Sequence, residues 1–464
     1  MELSILDQTS PHFYIRQLFC FEFDHRSTGP ALYGLHHALE ATIAQWPVLA
    51  GMVIPGQDPD SKHNLKSVRY QTPLPRPLYG THLFAMQWLS ANYQELLARG
   101  MPQSELKTGS LSSLPWNSKP GQAYPVFGLQ VNFLEGGLIL CFTLSHTVLD
   151  GVSKDAIFEC FGRNMRMDTP TFKNLHVQSR EFVDLCRSKS TNINVHTCPE
   201  YRYDNTPPPP LTRQATGRVF VFDAHRIAEL KDSVMKYLQT TASDVWASTS
   251  DCLCALLWVS VMQVRARRLS PSTNVKFSQS VNARRQFSLP QSYFGNAFLQ
   301  PFASARLGGL LNSSETDCLE ELPDDLLKIA TVAKAALNIR AAIQEVDKDY
   351  AQQRLDLWAS LQDPSSTLHA FWRALDMPDT GIFLSSWVNF GADVDFAIPG
   401  TTTGCAQYVR KPWSASEGAC NILPRKGGTK GDADWEVLVQ LSVEDMERLC
   451  VETEFGRLAN KVIE

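Results

Sequence analysis

Residues 145–151 read Ser-His-Thr-Val-Leu-Asp-Gly, a run that holds the residue types general acid–base chemistry needs. The imidazole of His146 can take a proton near neutral pH, and a buried setting keeps it neutral and able to do so. Asp150 follows four residues later, and Gly151 comes directly after it. Of the eleven histidines in the chain, His146 alone has an aspartate at that spacing. The bland counterpart of a catalytic histidine is a core histidine satisfied by hydrogen bonds, and structural context decides between the two.

The elements around the run are legible. Residues 126–134 alternate as a strand, Glu135-Gly136-Gly137 forms a turn, and Leu138 to Leu144 is apolar enough for a buried second strand. After Gly151, the segment Ser153 to Met165 places Ala156, Ile157, Cys160, Phe161 and Met165 on one helical face, with Ser153 as the cap. The histidine therefore sits between a buried strand and a packed helix. Upstream, Leu35, Leu39, Ile43 and Trp46 predict an amphipathic helix over 32–46, and Pro47 to Gly51 turns into a strand. Residues 83–99 are predicted as a further helix, ended by Gly100.

Two domains are expected from 464 residues, because one core rarely grows that large. The boundary falls where Ser188 to Asn194 turns polar and Pro207 to Pro210 forms a proline run. The reading is a first domain over 1–190, a linker over 191–214 and a second domain over 215–464. Gly217 to Asp223 opens the second half as a strand, Thr249 to Arg265 is a long buried helix, and 327–361 is helical with mostly solvated charges.

A hydrophobic content of 44% with 20% charged residues describes a folded, soluble chain. The net charge of −5 and the lack of a basic tract argue against a nucleic-acid partner, while an anionic co-substrate needs only a local basic pocket. Eleven scattered cysteines without a C-x-x-C pair predict no metal site and no disulfide framework, and they suit the reducing cytoplasm. No signal peptide is read at the N-terminus, and the apolar run Cys252 to Val264 is too short to span a membrane.

Further landmarks lie downstream. Ser280-Val-Asn-Ala-Arg284-Arg285 precedes Tyr293-Phe-Gly-Asn296-Ala297; then come Ser385-Ser-Trp387, Asp395-Phe396, Tyr408-Val-Arg410 and Ile422-Leu-Pro424-Arg425. In this order, together with Leu6-Asp-Gln-Thr and His146 to Gly151, they resemble the BAHD superfamily of CoA-dependent acyltransferases, and within it the fungal trichothecene 3-O-acetyltransferase branch. The H-x-x-x-D-G run alone is shared with chloramphenicol acetyltransferases and nonribosomal condensation domains. The latter carry a second histidine where this chain has Ser145.

The resemblance implies an α/β fold of two similar chloramphenicol-acetyltransferase-like domains. Each is a mixed sheet flanked by helices, and a central channel admits acyl-CoA from one face and the acceptor from the other. It implies a monomer that transfers an acetyl or other small acyl group to a hydroxyl, or an amine, of a terpenoid, alkaloid or polyketide. His146 is then the general base, in a ternary complex without an acyl-enzyme. Ser385 and Trp387 match the positions that meet the oxyanion. Asp150 is expected to turn away and pair with Arg284, with Gly151, Asn296 and Asp395 as structural residues. Ser248 and Thr249 match a region near CoA, with a helix cap as the plainer role, and Arg410 meets a phosphate or decorates the surface. The chain departs from the pattern at Asn282, at Gln286 and in Asp395-Phe-Ala-Ile-Pro399, where the family has D-F-G-W-G. That last departure keeps a CoA-independent condensation or cyclisation enzyme open beside acyl transfer; a non-catalytic binding protein is a third reading, which the intact His146, Asp150, Gly151, Tyr293 to Ala297 and Trp387 oppose.

Overall fold

The computed structural model describes residues 1–56, 65–73, 76–119, 121–167, 198–204, 213–241, 245–312, 324–414, 416–426 and 432–464. Two mixed sheets carry the fold. The first has five strands in the order Tyr408–Arg410, Tyr14–Glu22, Gly137–Ser145, Phe127–Glu135 and Phe84–Asn92. The second has seven, in the order Phe302–Arg306, Asn274–Gln279, Gly381–Ser386, Ala419–Ile422, Trp435–Ser442, Ala215–Phe222 and Lys461–Ile463. Within it, Gly381–Ser386 runs parallel to both neighbours, and the other joins are antiparallel.

The expected hairpin is present, and its alternation explains its burial. Every residue of Gly137–Ser145 is buried. Leu138, Leu140, Phe142 and Leu144 join the core under helices Thr28–Gln45 and Gly151–Met165. Ile139 and Cys141 point the other way, into a smaller cluster with Tyr93, Leu96 and Leu111. Burying each large apolar side chain contributes about 1.5–3 kcal/mol, so both faces hold this strand rigidly. The turn needs Gly136, whose φ is +71°. The antiparallel register pairs Tyr14 with Ser145, so Phe13 and His146 leave the sheet side by side.

Several expectations are corrected. Residues 83–99 are a strand, Phe84–Asn92, followed by a short helix, Tyr93–Ala98. Parallel pairing with Phe127–Glu135 outweighs local helical preference there, and Asn92 caps the helix by accepting from the N–H groups of Gln94 and Glu95. Helix Gly151–Met165 is capped by Asp150, not Ser153: the carboxylate accepts from Ser153 N–H at 3.0 Å. The stretch 327–361 holds parts of two helices, Asp324–Gln344 and Lys348–Ser360, and the second starts at the Asp347 cap. Its Arg354 is not solvated: it is buried against Glu200 at 2.6 Å.

The two halves also exchange chain. Tyr408–Arg410 comes from the second half yet forms the edge of the first sheet. Val394, Phe396, Ile398 and Ala406 lead up to it within the first core. Most of the expected linker, 191–197 and 205–212, lies outside the described residues, as does the proline run. Among the described residues, no helix is long and apolar enough to cross a membrane.

Asp395 and Phe396 lie in a loop whose apolar residues join the first core. Phe396 packs on Phe19 with ring centroids 4.9 Å apart, and Asp395 Oδ1 accepts from Ala397 N–H at 2.9 Å. Ala397 is held at φ +45°, a conformation that costs a residue with a Cβ about 1–2 kcal/mol. The side chain is exposed, so removing it loses no packing. Ala397→Gly should therefore stabilise the fold by ~1 kcal/mol, after the greater flexibility of glycine in the unfolded chain is allowed for. An upward shift of the thermal midpoint relative to wild type is the expected readout; a downward shift would contradict it.

Candidate active site

His146 is fixed from three sides. Its N–H donates to Phe13 O at 3.0 Å, and its carbonyl accepts from Asn296 Nδ2 at 3.0 Å. Val148 and Leu149, just beyond, are fully buried and anchor the loop in the first core. The ring lies between Phe13 and Phe298, with centroids 5.6 and 5.5 Å away. Nδ1 is buried with no well-aligned hydrogen-bond partner, beside the residue's own carbonyl. A proton on Nδ1 suits that carbonyl and leaves Nε2 as the basic nitrogen. Burial pushes the imidazole below its ordinary pKa and Lys154 adds to this, while the nearby carbonyl, Asp150 and Asn296 oppose it.

Asp150 is not available to the imidazole as a hydrogen-bonding partner. Arg284 meets it with two parallel bonds, Nη1 to Oδ2 at 2.8 Å and Nη2 to Oδ1 at 2.9 Å. Ser153 N–H donates to Oδ1 at 3.0 Å and Ala297 N–H to Oδ2 at 3.1 Å. Arg284 is itself fully buried and donates further to the carbonyls of Tyr293 and Gly295 and to Asn282 Oδ1. Asn282, where the family pattern has an acid, thus still serves the arginine.

The Tyr293 to Ala297 segment ties these pieces together. Asn296 Nδ2 bridges His146 O and Asp7 Oδ1, the latter at 2.9 Å. Asp7 closes a capping box with Ser4, which anchors the N-terminal helix Ile5–Gln8. Phe294 stacks on Trp46 with planes 13° apart. Gly151 is needed because a Cβ there would lie 2.6 Å from the Phe390 ring.

His146, Asp150, Ser385 and Trp387 line one cavity of about 480 Å³, to which both halves contribute. Trp387 Nε1–H donates to Ser385 Oγ at 3.1 Å, and Asn421 Nδ2 donates to Ser385 O at 3.3 Å. Much of the remaining lining is aromatic, including Phe13, Trp116, Phe298, Trp372, Phe383 and Phe390.

The CoA assignments fare differently. Ser248 caps helix Thr249–Arg265, exchanging bonds with Asp251 in a capping box, and neither Ser248 nor Thr249 lines the cavity. The Arg410 reading is overturned. Its guanidinium is buried, paired with Glu436 at 2.7 and 2.8 Å, and bonded to Gly100 O at 2.9 Å, so it neither faces solvent nor has a free edge for a phosphate. Asp395 lies in the first core's loop, away from the cavity.

Three cations in the lining escaped the sequence reading: Arg16, Lys154 and Lys411. Burial lowers Lys154 to about 7 and Lys411 to about 8. A signal for Lys154 existed, since it precedes Ile157 and Phe158 by three and four residues on the buried helix face. Lys411 and Arg16 carry no comparable local signal.

Comparison with known proteins decides the family. The Transferase family model matches residues 101–455, and the trichothecene 3-O-acetyltransferase-like N-terminal domain model matches residues 13–164. The chain belongs to the Transferase family of BAHD-type acyltransferases. Trichothecene 3-O-acetyltransferase TRI101 of Fusarium sporotrichioides is 27% identical over 360 residues, covering 74% of this chain and 70% of that one. Communesin N16 acyltransferase cnsK of Penicillium expansum is 26% identical, covering 95% of this chain and 93% of its own. The structure of F. sporotrichioides TRI101 with coenzyme A and T-2 superposes with a TM-score of 0.80 at 22% identity, covering 100% of this chain and 99% of that one. The BAHD-type acyltransferase fold of two mixed sheets flanked by helices is the one expected from the sequence.

A general base must be neutral to act, and the His146 imidazole is held below its ordinary 6.5. With His146 read as the general base, the acid limb of kcat/KM should therefore fall at a pH below 6.5, with activity lost as pH drops through it. A pH–rate profile checks this, and a limb above 6.5 would contradict the burial argument.

Proposed function

We propose that this protein transfers an acetyl or other small acyl group from CoA to a hydroxyl of a bulky, largely apolar secondary metabolite of the terpenoid, alkaloid or polyketide kind. The observation that carries the reading is a neutral, rigidly held His146 in the wall of a largely apolar cavity. Relatives named for acyl transfer to trichothecene and communesin metabolites support the substrate class.

In this reading His146 Nε2 takes the proton of the acceptor hydroxyl as its oxygen attacks the thioester carbonyl. The carbonyl oxygen gains negative charge. Ser385 Oγ, whose lone pair already accepts from Trp387, keeps its own O–H to donate to that oxygen. Collapse breaks the C–S bond, the ester leaves, and the CoA thiolate recovers the proton from the imidazolium. Donor and acceptor held together in one cavity make a covalent acyl-enzyme unnecessary. Asp150 and Arg284 hold the loop and take no proton. An amine acceptor follows the same path.

Incubating wild type and His146→Ala with acetyl-CoA and a panel of hydroxylated terpenoids, alkaloids and polyketides tests the proposal. The expected outcome is a product heavier by one acetyl group and stoichiometric free CoA, with turnover in the variant lower by about 10²–10⁴-fold. Undiminished acetylation by His146→Ala would overturn the mechanism.

A further inference from the structure

Lys154 has no place in the reaction described so far, and its setting is unusual. The side chain is fully buried, and Nζ makes no hydrogen bond. No carboxylate forms an ion pair with it among the described residues. Its neighbours are aromatic faces: Nζ lies 3.7 Å from the centroid of the Trp387 ring, 5.1 Å from Phe390 and 5.9 Å from Phe158. Leaving a lysine amine unpaired in the interior is costly, and a cation over indole recovers part of that cost.

The other two cations of this wall are committed. Lys411 Nζ donates to Asn421 Oδ1 at 3.2 Å, and Asn421 Nδ2 donates to Ser385 O. Arg16 gives its Nη2 to the carbonyls of Leu114, Pro115 and Trp116 and its Nε to Ser112. Lys154 is thus the one uncommitted cation of the described lining, and it touches the ring whose N–H is bonded to Ser385 Oγ.

We propose that Lys154 is a positioning residue for acyl transfer: its ammonium group, seated on the indole face of Trp387, holds that ring and polarises its N–H, so that Ser385 presents a stronger O–H donor to the thioester oxygen. A cation on the ring face draws electron density from the indole, the N–H becomes a better donor, and a hydroxyl that accepts a stronger bond donates a stronger one. The inference rests on the acyl-transfer reading with Ser385 as oxyanion donor. The same contact makes the relay sensitive to pH. Burial is the main reason Lys154 is lowered to about 7; Asp155 and Asp150 raise it and Lys411 lowers it further. Asp155 is itself raised to about 6, by burial first, with Glu159 and Asp393 adding to that and Lys154 opposing. The cation is present below about 7 and lost above it.

The test compares wild type, Lys154→Met, Trp387→Phe, Ser385→Ala and the Lys154→Met/Ser385→Ala pair. Tryptophan emission reads the contact without turnover. A pH titration with a midpoint near 7 is expected in wild type and expected to vanish in both Lys154→Met and Trp387→Phe. In the acetylation assay Lys154→Met should lower kcat about tenfold with both KM values unchanged, should remove the loss of rate above about pH 7, and should add little once Ser385 is alanine. An emission that does not titrate, a change confined to KM, an unaltered pH profile or strictly additive effects with Ser385→Ala would each overturn the proposal. Failure of the underlying acyl-transfer reading looks different: His146→Ala would retain turnover while the emission titration stayed intact.

Discussion

Everything at the centre of this molecule hangs on a carboxylate and a guanidinium buried together. Asp150 is 4% exposed and Arg284 is 0% exposed. Neither charge is tolerable there alone, because desolvating an ion costs several kcal/mol that only a well-formed partner offsets. The pair is well formed, with two parallel bonds and further bonds to both groups from the backbone. It joins the loop after the first hairpin to a segment of the second half. The distance between the two sheets, and hence the shape of the cavity between them, is set partly by this contact. Asp150 also caps the helix that carries Lys154, so one carboxylate holds both the His146 loop and the start of that helix.

The electrostatics of the cavity follow from that arrangement. Its single lining carboxylate is neutralised by Arg284, while Lys154, Lys411 and Arg16 have no acid directly opposite in the lining. A region with this balance disfavours an imidazolium and favours negative charge. The first keeps His146 unprotonated, and the second suits the oxyanion of an acyl transfer in a low-dielectric site. Phe13, Trp116, Phe298, Trp372, Phe383 and Phe390 give the wall an apolar share that matches an apolar acceptor better than a sugar or a nucleotide.

Local pattern revealed much of this, and long-range pairing hid the rest. The hairpin was legible because two apolar runs, 126–134 and 138–144, flank the Glu135-Gly136-Gly137 turn. His146 and Asp150 stood out by spacing, and the Arg284 pairing followed from resemblance alone, since 134 residues separate the partners. Phe84–Asn92 was misread because its edge position lets polar residues sit where a buried strand would forbid them, so tertiary pairing decides its state. That Tyr408–Arg410 completes the opposite domain's sheet cannot be read from its own residues. Arg410 was misplaced for the same reason, because its partner Glu436 lies on another strand. Lys154 was not singled out, although it occupies a position on the buried face of its helix.

The central claim is that Asp150 acts on the loop through Arg284 and not on the imidazole. Asp150→Asn, Arg284→Met and the double variant, each measured for stability and turnover, test it most directly. The account predicts that each single change costs about 3–5 kcal/mol and lowers turnover alike. It further predicts that the double variant is no worse than the poorer single one, with a coupling energy of about 3 kcal/mol or more. An Arg284→Met protein with full turnover beside an inactive Asp150→Asn protein would contradict it, placing the carboxylate in the chemistry itself.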